Sequence, residues 1–302
     1  MDYADEVVSL GGTVPMFVES TGPDPDFVTC LLYLDCGNDL ARLRPLLTYW
    51  YDETYRTLMP YLRPAGAPEP VMSLSVYDHT ADGRPRRRKP RTWDEGVTPD
   101  LHQLSVHWSD TVANSLASEL DLYVFRFADN QHVRLQISVG FQNRPGGLKR
   151  VLPDLVDLMR RVADVTDPTY GEIVVNAETM APATMLDGAL SRSSTESARD
   201  SRRQLRGYEW VTICPSELAA RLGGAEVLRA TGAFAEVVPL AHGGLLLQAT
   251  ADPEAYREGR LHAVHRALAP VLPAGQPHDL PGHDLSRVVP IDARSISAAV
   301  PA

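Results

Sequence analysis

The sequence predicts an α+β fold with mixed or mainly antiparallel sheets covered by helices, arranged in two lobes. Three observations predict it. Strand-like runs come in neighbouring pairs, as at 120–127 and 133–141, where Asp129-Asn130-Gln131 leaves room for a short loop and none for a crossover helix. Helix-period runs occur singly between such groups, at 40–58 and 152–165. Strands and helices alternate irregularly, so neither an open Rossmann sheet nor a barrel is expected. With 302 residues the chain can bury a large core, and it is long enough for one big domain or two.

Residues 1–26 mix acidic side chains, glycine and Pro23-Asp24-Pro25, and read as an irregular arm. The run 27–36, FVTCLLYLDC, is apolar almost without a break, as suits a strand buried on both faces. Gly37-Asn38-Asp39 supplies a turn and a helix cap, after which Leu40, Leu43, Leu47, Trp50, Tyr51, Thr54 and Leu58 keep a spacing of three and four. Pro45 interrupts this helix, which either kinks there or starts near Arg44. Residues 63–70, RPAGAPEP, end it, and 71–77 alternates like a half-buried strand. From 78 to 99 the chain turns polar, with three prolines and a cluster of cations, so a mobile or hairpin loop is expected. Strands follow at 101–108, 120–127 and 133–141. A helix at 152–165 is apolar at 152, 155, 156, 159 and 162, with Pro153 in its first turn, and 170–176 returns as a strand.

Residues 177–205 are rich in serine, arginine and aspartate and show little periodicity. They set the domain plan: an arm at 1–26, an N-terminal α+β lobe at 27–180, a linker at 181–205, and a C-terminal α+β lobe at 206–302 ending in a proline-rich tail. An internal echo runs through the first lobe. Strand 27–36, helix, strand 71–77 is matched by strand 133–141, helix, strand 170–176, with Leu40, Arg42, Pro45 and Leu47 set against Leu148, Arg150, Pro153 and Leu155. A duplicated β-α-β unit would account for this; four positions in two leucine-rich helices can also coincide.

The block 206–250 carries the cleanest succession of signals. Residues 208–214 are aromatic and β-branched, as in a strand, and Pro215 stands where a helix can begin without an N–H. Leu218, Ala219 and Leu222 share one face, Gly223-Gly224 can end the turn at positive φ, and 225–230 adds a second short helix. Runs at 234–240 and 245–250 flank His242-Gly243-Gly244, which suits a tight hairpin. Residues 252–272 place Leu261, Val264, His265, Leu268 and Val271 on one helical face, and 287–291 could add an edge strand limited by Pro290.

Three stretches of this block, Gly207-Tyr208-Glu209-Trp210-Val211-Thr212, Glu217-Leu218-Ala219-Ala220-Arg221-Leu222-Gly223-Gly224 and Gly244-Leu245-Leu246-Leu247-Gln248-Ala249, resemble the C-terminal part of the type VI immunity family. Its members are encoded beside toxins that bacteria deliver into competitors. The resemblance extends more loosely over 27–60 and 132–176. None of its motifs is chemical, so it implies a folded antidote that binds a cognate toxin protein, and no catalytic residue.

Composition narrows the partner classes. A net charge of −10 argues against generic binding to nucleic acid or anionic membranes, both of which need a basic surface. Cys30, Cys36 and Cys214 lie in or beside apolar runs and read as buried reduced thiols. The acidic N-terminus lacks the features of a signal peptide, and no run approaches a membrane span, so a cytoplasmic protein without membrane contact is expected.

No catalytic, cofactor or metal motif stands out. His262 and His265 share a helix, but His265 lies on its leucine face and reads as a packed histidine. His278 and His283-Asp284 belong to a loop-like tail. Ser193-Ser194-Thr195 followed by Glu196 reads as a helix cap rather than a nucleophile, and no phosphate-binding glycine loop occurs. Asp78-His79 and Asp94-Glu95 offer the one candidate acid and base pair, for an enzyme of hydrolase type whose site leaves no local motif. The strongest local feature is the cation cluster 84–91 beside Trp93. Arg86, Arg87, Arg88 and Trp93 are the candidate partner-binding residues, because arginine and tryptophan dominate interface hot spots. A loop that only stays solvated would look the same.

Overall fold

A computed structural model of the chain describes residues 16–17, 27–80, 84–110, 115–127, 129, 131–175, 177–178, 183–279 and 286–297. The chain divides into two compact units, residues 19–166 and residues 1–18 with 167–302. The fold is α+β, and within each unit the strand pairings are antiparallel. First along the chain comes β1 (Met16–Phe17), which belongs to the second of these units.

The 19–166 unit holds β2 (Phe27–Leu34), α1 (Leu40–Leu62), β3 (Val71–Asp78), β4 (Arg86–Arg88), α2 (Trp93–Gly96), β5 (Leu101–Ser109), β6 (Glu119–Arg126), β7 (Val133–Gly140) and α3 (Gly147–Thr166). Its strands lie in the order β2-β7-β6-β5-β3-β4. Because side chains alternate faces, the register sorts residues into rows across the sheet. One face carries Val76, Leu104, Val124, Leu135 and Leu32 in a row, and Leu74, Val106, Leu122, Ile137 and Cys30 in the next. Nearly all of these are buried. Helix α1 covers this face, with the Tyr51 ring 6.0 Å from that of Trp108. The other face carries Ser73, His107, Asp121, Ser138 and Thr29 in one row, and Ser75, Ser105, Tyr123, Gln136 and Leu31 in another.

Helix α1 starts at its Asp39 cap, whose carboxylate accepts the Arg42 N–H at 3.1 Å, so Pro45 lies inside it and does not delay its start. Leu43, Leu47, Trp50 and Leu58 form its buried stripe. Helix α3 runs antiparallel to α1: the Tyr61 hydroxyl donates to Asp154 at 2.6 Å near one end, and Arg161 donates to Glu53 at 3.0 Å further along. It begins at Gly147, earlier than the sequence pattern suggests, and Pro153 falls in its second turn. The start is set by close packing, since a Cβ at Gly147 would lie 2.2 Å from the Leu116 carbonyl oxygen. The echo between 27–77 and 133–176 does not mark a repeated compact unit. Strands β2 and β3 are separated by β7, β6 and β5, and the strand after α3 belongs to the other unit.

That unit contains β8 (Tyr170–Val175), β9 (Ala177–Glu178), α4 (Met185–Ala189), α5 (Ser194–Arg199), β10 (Val211–Cys214), α6 (Ser216–Arg221), α7 (Gly224–Ala230), β11 (Glu236–Pro239), β12 (Leu245–Gln248), α8 (Glu258–Leu268) and α9 (Ala293–Ser297). A four-stranded array runs β11-β12-β10-β8, and β1 pairs separately with β9. The order of elements read in 206–250 appears, with shorter strands, the first starting at Val211 in place of 208, Gly223 and Gly224 at φ of +83° and +79° after α6, and the hairpin closing over Gly243 at +84°.

Three expectations for this region change. Described residues 183–205 are not a linker. They form α4 and α5, and the division of the chain falls after Thr166. What packs them is polar: Arg206 and Asp187, both fully buried, form an ion pair at 2.9 Å, and the Ser197 hydroxyl donates to the same carboxylate. The predicted helix 252–272 is shorter, with 3-10 turns at Pro253–Ala255 and Ala269–Val271 flanking α8. Residues 287–291 form turns and no strand; buried Val289 gives its N–H to the Tyr208 hydroxyl at 2.9 Å. Of the predicted arm, 1–15 and 18–26 lie outside the described residues.

Candidate functional site

Of the mobile or hairpin loop expected after β3, the described residues form the hairpin. Residues 86–88 pair with 76–78 as an edge strand, and a single turn of helix follows at α2. Thr92 caps that turn by accepting the Glu95 N–H at 3.3 Å, while the Glu95 carboxylate accepts the Arg91 N–H at 2.8 Å. The first bond satisfies an amide that a short helix otherwise leaves open, and the second ties the preceding residue to the same turn.

The four candidate contact residues separate into two pairs. Arg88 is committed to the scaffold: its guanidinium meets Asp78 at 2.8 and 3.2 Å and donates to the Glu95 and Gly96 carbonyls. Trp93 is 8% exposed and stacks on Tyr51 with ring centroids 4.7 Å apart, so it fills core instead of facing a partner. Arg86 and Arg87 are exposed on the edge strand, and Arg87 reaches back to the Ser75 hydroxyl at 3.4 Å. Arg84, Lys89 and Arg91 are exposed beside them.

The candidate acid and base pair is tied down. Asp78 serves Arg88, Glu95 serves the amide of Arg91, and Asp94 stands exposed in α2. His79 lies 3.2 Å from His102, ring nitrogen to ring nitrogen. Burial, with Arg126 second, lowers the His79 pKa; burial, with His79 second, lowers that of His102 to about 4. Both rings are therefore neutral near pH 7.

On the polar sheet face, His107 Nδ1 lies 2.8 Å from Asp121 Oδ1, and the Tyr123 hydroxyl donates to the same carboxylate at 3.4 Å. Glu119 joins them, its side chain lying over Gly140, where a Cβ would come within 2.5 Å of it. Burial first and Asp121 second raise the Glu119 pKa. One ligand atom from each of His107, Glu119 and Asp121 falls within 4.8 Å of the others, which makes these the donors nearest to a cation-binding set among the described residues. Sequence reading missed this group. His107 and Asp121 become neighbours only through the β5–β6 register, which alternation alone does not fix.

The remaining candidates are structural where they are described. His265 is buried edge-on against Tyr208 at 5.4 Å, and burial, with His262 second, lowers its pKa to about 4. His278 hydrogen-bonds Ser191 at 3.1 Å, while His283 and Asp284 lie outside the described residues. Helix α5 starts after Ser193, whose side chain makes no cap bond.

Across the 19–166 sheet, Ser73, Ser75, His107, Asp121 and Tyr123 belong to a half-exposed polar surface on β3, β5 and β6, bordered by exposed arginines on β4. No family model matches the chain, and no curated protein matches it. Among solved structures, the Pseudomonas aeruginosa T6SS protein PA0821 superposes with a TM-score of 0.53 at 15% identity, over 98% of this chain and 91% of that one. The chain shares its fold with a type VI secretion system protein. At this identity the likeness to PA0821 is one of fold. A protein from Arthrobacter aurescens, solved by NMR, aligns over 49% of this chain and 91% of its own, with a TM-score of 0.23 at 14% identity, and carries no argument. No helix among the described residues is long and apolar enough to cross a membrane.

Proposed function

We propose that this chain is an immunity protein that neutralises a cognate antibacterial toxin by direct protein–protein binding in the cytoplasm, with no chemistry of its own. The observation that carries the reading is the half-exposed polar face on β3, β5 and β6 with the arginine edge beside it. A sheet face of this kind is a rigid platform, and rigid platforms bind at low entropic cost. The fold shared with PA0821 and the resemblance of 207–212, 217–224 and 244–249 to the type VI immunity family supply the toxin side of the reading.

The alternative, an enzyme of hydrolase type centred on 78–95, is disfavoured by how its groups are spent. An acid and a base must be free to exchange protons with a substrate, whereas Asp78 holds an arginine and Glu95 holds a backbone amide. A specific complex would bury about 1,200–2,000 Å² in total. The test is to co-express the chain with the toxin encoded beside its gene. Protection of the cells and recovery of a stable complex are expected. A gene neighbourhood without a toxin, absent protection, or hydrolase activity in the purified chain overturns the reading.

A further inference from the structure

Strand β3 is sealed along one side by β5 over its whole length, but on its outer side β4 pairs only with residues 76–78. Among the described residues no strand pairs with the outer edge at 71–75. Proteins ordinarily blunt such an edge with lysine, proline or a bulge, because its open N–H and C=O groups invite another strand. Here 71–75 reads Val-Met-Ser-Leu-Ser, without a charge or a proline, and Val71 and Met72 are 62% and 50% exposed. The open stretch ends at Ser75, where the Arg87 guanidinium lies against the hydroxyl. Exposed Arg86, Lys89 and Arg91 follow, and residues 84–93 contain no acidic side chain.

We propose that the outer edge of β3 at 71–75 is a docking strip that takes an extended, acid-bearing segment of the toxin as an added strand, with Arg86 and Arg87 pairing its carboxylates. The proposal rests on the immunity reading for the identity of the partner. Backbone pairing along 71–75 supplies affinity without regard to sequence, and the cations select for acidic side chains at one end. Charge favours this occupant, since the cations at 84–91 beside the strip are a local inversion of sign on a chain of net charge −10. A second copy of the chain is a poorer fit. Its own 71–75 edge carries no acidic side chain and would bring a second set of the 84–91 cations against the first.

The test uses the full-length chain and two labelled peptides of about seven residues, the common length of a strand, one alternating glutamate with valine and one alternating lysine with valine. The glutamate peptide should bind about tenfold more tightly or better, as steering by like and unlike charge predicts. It should slow amide exchange at 71–75. Arg86→Glu with Arg87→Glu should abolish the preference while the melting temperature stays unchanged. The strip is refuted if neither peptide binds, if the double variant keeps the preference, if 71–75 exchanges as fast with the peptide as without it, or if light scattering shows a dimer that already protects 71–75. The two readings fail separately. A strip that binds the glutamate peptide in a chain that protects against no toxin sinks the immunity reading alone, whereas a double variant that protects cells as well as the native chain sinks the strip alone.

Discussion

Arg87 and Arg88 are adjacent in sequence and do opposite work. Arg88 is the half-buried end of a network that joins β3, β4 and α2 through Asp78 and two carbonyls, while Arg87 lies exposed. Arg88→Ala should therefore destabilise the chain by about 1–3 kcal/mol, the range for hydrogen bonds to a charged group, and less to the extent that water screens the pair. Arg86→Ala and Arg87→Ala should stay within about 0.5 kcal/mol. Urea denaturation of the three single variants separates these outcomes. The sequence shows four cations in a row and cannot say which one is spent internally, because that depends on Asp78 and the α2 carbonyls arriving at the same place.

Glu209 gives a second test at the same scale. Burial, with Arg287 opposing it and Glu172 adding to it, raises its pKa from 4.5 to about 8. A carboxyl that is harder to ionise when folded holds its proton in the native state while the unfolded chain has released it. Stability therefore falls as pH rises from about 4.5 to about 8. Glu209→Gln should flatten that slope, and denaturation at about pH 5 and about pH 8 would measure it. Equal slopes in the two proteins would mean that the carboxyl ionises normally. Its place inside the Gly207-Tyr208-Glu209-Trp210 motif was legible, but its burial was not.

Among the elements, those with an apolar period were readable and those held by polar contacts were not. Helix α1, the strands β2, β3 and β5 to β7, and the whole of β10 to β12 follow from spacing, caps and glycines that act over a few residues. Helices α4 and α5 escape because five and six residues give no period, and their anchor is the Arg206–Asp187 pair, drawn from positions 19 apart. Asp187→Ala removes the carboxylate from a fully buried ion pair with Arg206, so a loss of about 3–5 kcal/mol is expected in thermal or urea unfolding. The start of α3 is set in the same non-local way. Gly147→Ala would push a Cβ into the Leu116 carbonyl and should cost about 1–3 kcal/mol, with the loss of helicity measured by circular dichroism. The half-exposed polar face belongs here too. Each strand shows its alternation, but only the register reveals that serine, histidine and aspartate line up across the sheet.

Over the whole molecule, charge is distributed unevenly in a way that composition hides. A chain of net charge −10 presents five exposed cations within 84–91, so approach of a partner should depend on ionic strength by an amount that bulk charge alone does not predict. The domain plan was the least legible feature, because the serine-rich stretch looks like a connector while the division at 166 falls directly after a helix. That division has a bearing on how the chain is made. Residues 19–166 are contiguous, so this unit can complete its fold while the ribosome is still adding residues. The other unit joins β1 to β9, about 160 residues later, with the whole of 19–166 between them. Its assembly therefore waits until residues beyond 167 have been made.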